Sequence, residues 1–234
     1  MSIGVASAAL ATAAVSTAGA EELSLSANVA MGTDYSFRGI SQTDLDPTIQ
    51  GGFDAGYGIF YIGTWASNIS FAGGTEIDLY AGITPTLGPL DLDLGVIYYA
   101  YPSASDDGAE TDYIELAISA GHDFGPFSAS IGLNYSPDYT LESGDFFYPN
   151  GGVSIPVFDS WSIDGTVGYN IIDDEAAFGT PDYVDYSVGI SYSYEQFTGT
   201  VSWVDTDLDD SECFGGADPE VCDGRVILSL SASF

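Results

Sequence analysis

The chain has 234 residues, with 35 acidic residues against two strong cations, Arg38 and Arg225, for a formal net charge of −33. Nucleic-acid binding needs basic surface to displace counterions, so this composition excludes it. The charge does not signal disorder either, because 45% of residues are hydrophobic and aromatics are spread along the whole length.

The first segment, Ser2 to Ala20, is small and apolar, and Ala18-Gly19-Ala20 fits an A-x-A cleavage pattern. Residues 1–20 therefore read as a signal peptide cut before Glu21, although the usual positive n-region is lacking. Residues 21–234 are expected to form one domain. No other run reaches the roughly 18 continuous apolar residues of a membrane helix.

From Leu23 onward, apolar residues alternate with small or polar ones, the period of half-buried strands. Leu23, Leu25, Val29 and Met31 share one face of the first strand, opposite Ser24, Ser26 and Asn28. A polar stretch follows from Asp34 to Pro47. Strands then begin near Thr48, Phe60, Glu76, Leu92, Tyr113, Ala129, Phe146, Ile163, Val184 and Val201. The last runs from Arg225 to Phe234, with Val226, Leu228, Leu230, Ala232 and Phe234 on its apolar face. Such a strand ending on Phe is similar to the closing strand of bacterial outer-membrane barrels.

About twelve strands result, joined alternately by short turns and long acidic loops. The short turns lie near Gly58, Pro89, Pro126, Asp159 and Glu195. A soluble sandwich has no reason to put every long loop at one end. The expected fold is all-β: a closed antiparallel transmembrane β-barrel with short periplasmic turns and long acidic extracellular loops. Phe124, Phe127, Phe158, Trp161, Tyr194 and Phe197 flank the short turns, where an interfacial girdle belongs.

Strand parity assigns the opposite face to the lumen. It carries Asp54, Glu76, Asp78, Asp93, Glu115, Asp164 and Asp185, with Tyr80 and Tyr99 among an aromatic lining that includes Tyr61, Trp65, Tyr101 and Tyr113. A charge is cheaper in a lumen than against lipid, so these are the candidate pore-lining residues. Arg38 shares parity with Asp34 if the first strand extends that far, and Arg225 has inward parity in the last strand. Both arginines are then expected near the seam. They either neutralise lumen carboxylates or form part of a constriction.

Several blocks resemble a known family: Asp34-Tyr-Ser-Phe-Arg-Gly-Ile-Ser-Gln42, Gln50-Gly-Gly52, Gly63-Thr-Trp-Ala-Ser-Asn68, Glu76-Ile-Asp-Leu-Tyr80, Tyr99-Ala-Tyr-Pro102 and Ser136-Pro-Asp-Tyr139. The family is the TorF-type porins, proteobacterial outer-membrane proteins otherwise of unknown function. The resemblance implies a Gram-negative outer-membrane barrel with a pore role. It supplies no substrate and no catalytic residues. It also implies that Phe234 is an assembly signal, which makes the barrel-assembly machinery a partner.

Catalytic and metal motifs are missing. His122 is the single His, with outward parity near a short turn, so a Ser-His-acid site has no support and no enzyme is expected. Asp205-Thr-Asp-Leu-Asp-Asp-Ser-Glu212 opens like a calcium loop. Asp210 stands where that loop needs Gly, and Gly216 where it needs Glu, which rejects an EF-hand. Weak divalent bridging to lipopolysaccharide phosphates stays open. Cys213 and Cys222 are expected to form a local disulfide, as exported proteins permit, and neither cofactor nor metal is expected.

Function then divides two ways. One is a porin-like channel for small hydrophilic solutes, cation-preferring through its acidic lumen. The other is a plugged structural or adhesive barrel that works through its acidic loops.

Overall fold

The computed structural model describes residues 22–104 and 110–234. The expected signal peptide lies outside them, as does part of the acidic loop after Pro102.

Twelve long strands form the wall. They are β1 (Leu23–Gly32), β2 (Thr48–Tyr57), β3 (Phe60–Asn68), β4 (Thr75–Ile83), β5 (Leu90–Ala100) and β6 (Tyr113–Asp123), then β7 (Ser128–Ser136), β8 (Phe146–Phe158), β9 (Trp161–Ile172), β10 (Tyr183–Tyr194), β11 (Phe197–Thr206) and β12 (Arg225–Ser233). Each pairs antiparallel with its sequence neighbour, and β1 pairs with β12, so the sheet closes and leaves no free edge. No described helix is long and apolar enough to cross a membrane; strands make the crossing.

The seam is uneven. β1 and β2 pair along all of Leu23–Gly32, but β1 and β12 pair only from Asn28↔Ser233 to Gly32↔Ser229. At the short-turn end, Ala27 and Phe234 exchange two backbone hydrogen bonds of 3.1 and 2.9 Å. At the other end, Arg225 Nε donates to Asp34 Oδ2 at 2.5 Å.

The outer face is the apolar set read from the sequence. Leu25, Phe53, Ile62, Ile131 and Val167 stand on it with half or more of their surface exposed. In water such a belt would drive aggregation; against lipid tails it is matched to its solvent. Among the strand residues of outward parity the single carboxylate is Asp205, at the long-loop end of β11. The short-turn girdle is present, with stacked Phe124 and Phe127 and the Trp161–Tyr192 pair. A second girdle that the sequence reading did not name lies at the long-loop end. There Tyr98, Tyr135 and Tyr186 donate to Asp112, Asp145 and Asp205 at 2.6, 2.8 and 2.7 Å. Aromatic rings with a polar tip suit the membrane–water boundary at each end.

Two loops depart from the expectation of simple solvated connections. Residues 33–47 contain a small hairpin, Ser36–Phe37 with Ile40–Ser41. Arg38 and Gly39 form its tip with φ of 49° and 83°, the left-handed pair that a two-residue turn between strands requires. This hairpin folds into the barrel: Ile40 and Arg38 are both buried. The last loop is clasped by the Cys213–Cys222 disulfide, and both cysteines are buried.

Candidate functional site: the barrel interior

The seven carboxylates of inward strand parity sort into two tiers along the barrel. Asp54, Asp93 and Asp164 lie near the short-turn ends of β2, β5 and β9; Asp93 is buried, and Asp54 and Asp164 are half-buried. Asp54 accepts from Tyr80 Oη at 2.6 Å and Asp93 from Tyr61 Oη at 2.8 Å. Asp164 accepts from Ser154, Ser162 and Ser191 at 2.5, 2.8 and 3.4 Å. Among the described residues none of the three has a cationic partner.

A tyrosine in each tier lies flat along the wall across a glycine. Tyr80 of β4 crosses Gly63 of β3 to reach Asp54 of β2, and Tyr148 of β8 crosses Gly168 of β9 to reach Asp185 of β10 at 3.0 Å. A Cβ at Gly63 or Gly168 would fall inside the overlying ring, so only glycine permits the ring to lie there. Each such tyrosine ties three consecutive strands together on their inner face.

The second tier, toward the long loops, is packed. Glu115 is 0% exposed, Asp78, Tyr99, Phe146 and Asn170 are 1% exposed, and Glu76, Asp185, Tyr113 and Tyr139 are also buried. The inward hairpin fills its centre. Arg38 Nη2 contacts the two Glu115 oxygens at 2.7 and 2.9 Å, and Nη1 donates to Tyr139 Oη at 3.2 Å. The guanidinium carbon lies 4.4 to 4.7 Å from the ring centroids of Phe37, Phe146 and Tyr148. The cation is thus caged by π faces, with one carboxylate pair. Tyr99 stacks on Tyr113 at 4.4 Å and Tyr139 on Phe146 at 4.0 Å. Burial pushes the Tyr139 phenol up to about 12, against the pull of Arg38, so it stays neutral while accepting from Arg38.

The other carboxylates of this tier differ in how well they are satisfied. Glu76 accepts from Tyr35 and Tyr101 hydroxyls at 2.7 Å each. Asp185 accepts from Tyr148 at 3.0 Å and Asn170 at 2.9 Å. Asp78 accepts nothing: both its oxygens are buried without a partner.

The arginines correct one expectation. β1 ends at Gly32, so Arg38 is not a strand residue near the seam; the hairpin carries it to Glu115 of β6. Arg225 does lie at the seam with inward parity. It holds Asp34 and donates through Nη1 to the carbonyls of Gly39, Val221 and Asp223 at 3.0, 3.2 and 3.1 Å. His122 points outward, its Nδ1 2.6 Å from the Pro89 carbonyl. Trp65, Tyr99, Tyr101 and Tyr113 are packed among themselves and the hairpin, whereas Tyr61 and Tyr80 are part-exposed. Among the described residues, no group of three or more His, Cys, Asp or Glu is arranged to hold a metal ion.

A closed twelve-strand barrel with an apolar outside and a polar, acidic inside is an outer-membrane barrel of the porin type. Solved structures share the architecture. The NanC porin superposes with a TM-score of 0.58 at 10% identity, over 90% of this chain and 99% of that one. The CymD monoaromatic hydrocarbon channel superposes with a TM-score of 0.52 at 11% identity, over 92% of this chain and 88% of that one. The chain itself belongs to the Gcw_chp family, bacterial proteins of unknown function, which it matches over residues 16–234. No curated protein matches its sequence.

Proposed function

We propose that the protein is a TorF-type porin of the Gram-negative outer membrane, a non-enzymatic channel for small hydrophilic solutes that prefers cations. One observation carries the reading: the inward carboxylates far outnumber the one interior cation, Arg38, that is not already committed to the seam. An acidic, low-dielectric cleft concentrates cations and repels anions. Glu76, Asp78, Glu115 and Asp185 act first on an ion entering from the long-loop side, Asp54, Asp93 and Asp164 next, with Tyr80 and Tyr99 as polar-aromatic lining. Residues 1–20 serve as the export signal, the last strand addresses the barrel-assembly machinery, and the acidic loops face lipopolysaccharide.

A second reading has its own support. The tier around Arg38 is buried throughout, which favours a plugged barrel that acts through its loops. In the channel reading this tier is a closed gate, and the hairpin moves to open it.

Planar-bilayer recording in a KCl gradient decides between them, using the full barrel and a variant in which residues 35–42 are replaced by a short Gly/Ser link. The channel reading expects small or intermittent wild-type currents, larger currents in the variant, and a cation-selective reversal potential. No current in either protein selects the structural barrel. An anion-selective reversal potential overturns the cation preference.

A further inference from the structure

Three tyrosines of the inner wall share one arrangement. Each ring lies over a glycine of the neighbouring strand, and each hydroxyl donates to a carboxylate beyond it. Tyr148 crosses Gly168 to Asp185, Tyr80 crosses Gly63 to Asp54, and Tyr61 crosses Gly82 to Asp93. One ring face is pressed to the wall and the other is turned to the interior. Donation to a carboxylate polarises the phenol and makes that free face more negative. What covers the face differs. On Tyr148 lies a guanidinium: the Arg38 carbon is 4.4 Å from the ring centroid, with Glu115 as counterion. No cation covers Tyr80 or Tyr61, because the chain's two strong cations are held at Glu115 and Asp34. These two rings stand 6.4 Å apart, inclined at 53°, and both are half-buried. Asp54 and Asp93 each accept their tyrosine on Oδ1, and among the described residues nothing donates to Oδ2 of either. Thr166, of inward parity on β9 across the barrel, is exposed, so solvent enters the interior opposite the rings.

We propose that Tyr61 and Tyr80 form a platform for the guanidinium group of a small solute, with Asp54 and Asp93 as its counter-charges. The protein's own Arg38 is the pattern for the guest: the same tyrosine arrangement already carries a guanidinium in the packed tier. A guanidinium is planar and weakly hydrated, so it lies flat on a ring while its edge donors reach the spare carboxylate oxygens. An ammonium is compact and strongly hydrated and gives up more water to do the same. A neutral sugar can stack on the rings but leaves both carboxylates without a counter-charge. A divalent metal has no use for the rings and finds its two carboxylates on β2 and β5, three strands apart. The inference deepens the channel reading by naming a solute class, and rests on it for passage. Binding itself needs only the short-turn side, where the hairpin does not stand in the way.

The test is isothermal titration calorimetry of the full barrel in detergent, with arginine amide as the probe and citrulline amide as its uncharged counterpart of the same shape. Saturable binding of arginine amide is expected, with citrulline amide weaker by about tenfold or more. The double variants Tyr61→Leu with Tyr80→Leu, and Asp54→Asn with Asp93→Asn, should each weaken arginine amide by about tenfold. No saturable binding, or equal affinity for the two amides, overturns the proposal. So does arginine amide binding that both double variants leave intact. Glucose that binds where arginine amide does not makes the rings a sugar platform and overturns it as well. If the leucine variant does not fold, the carboxylate variant and the comparison of the two amides decide alone. Bilayer currents from the same preparation separate this from the channel reading: a barrel that binds arginine amide and passes no current keeps the site and refutes the channel, and a conducting barrel that does not bind it does the reverse.

Discussion

Arg38 is where one substitution tests the most. Replacing it with Ala removes the guanidinium between Glu115, Tyr139 and the rings of Phe37, Phe146 and Tyr148. Glu115, wholly buried, is left with Asn134 as its one remaining donor, at 3.0 Å. Removing one partner of a buried ion pair costs about 3–5 kcal/mol. The barrel wall, held by its own hydrogen-bond ladders, has no need to unfold to relieve this. Withdrawal of the hairpin is sufficient, since it lets water reach Glu115. At 1.4 kcal/mol per factor of ten, about 4 kcal/mol shifts the docked-to-withdrawn ratio roughly a thousandfold. Single-channel recording should therefore show much longer open times for R38A than for the wild type. Proteinase K should cleave between residues 33 and 47 in the variant and spare the wild type. Adding Glu115→Gln removes the stranded charge and should recover part of the closure. If R38A matches the wild type in conductance and in cleavage, Arg38 does not hold the plug and the gate assignment is wrong.

Three further outcomes follow from the same geometry. Gly168→Ala drives a Cβ into the Tyr148 ring and should lower the urea midpoint by an amount equivalent to about 1–3 kcal/mol, whereas Gly199→Ala, with open space at its Cβ, should be neutral; equal midpoints for the two would remove the stapling role of Tyr148. Breaking the clasp with Cys213→Ser and Cys222→Ser, nine residues apart, should free the last loop by about 3 kcal/mol of restored chain entropy. Limited proteolysis should then cut between residues 207 and 224 while the barrel keeps its heat-modifiable migration on gels, and an uncut loop would contradict this. The combined Asp54→Asn, Asp93→Asn and Asp164→Asn variant should move the reversal potential toward zero, and an unchanged potential would take these three carboxylates out of ion selection.

How much of this is legible in the sequence depends on the length scale of the signal. The wall is legible because lipid on one side and water on the other impose a period of two on every strand. Leu79 beside Asp78 and Val188 beside Ser187 already tell which side is which. Closure followed from the alternation of short and long connections. The hairpin was not legible. Its strands are two residues each, too short to show a period, and Arg38 takes the left-handed turn position where Asn or Asp would have announced a hairpin. For the same reason the partner of Arg38 was missed: Glu115 is 77 residues away and on no neighbouring strand. The tyrosine ties were invisible for a different reason. Tyr80, Gly63 and Asp54 are each ordinary in their own strand, and only the register lines them up across three.

The Arg225–Asp34 contact has a consequence for the order in which the molecule is built. It joins residues 191 apart, and it exists only once β12 lies beside β1. Asp34 also receives the hydroxyls of Ser41 at 2.6 Å and Thr43 at 2.8 Å, which shape the foot of the inward hairpin. Arg225 in turn grips the hairpin tip through the Gly39 carbonyl at 3.0 Å. Before the ring closes, the hairpin lacks its anchor and has no enclosed space to enter. The wall therefore comes first and the filling second, and a chain halted with its seam open presents Arg38 and its aromatic cage to the surroundings. The last strand is what converts an open, water-filled sheet into a sealed one, so closure of the barrel and closure of its interior are a single event.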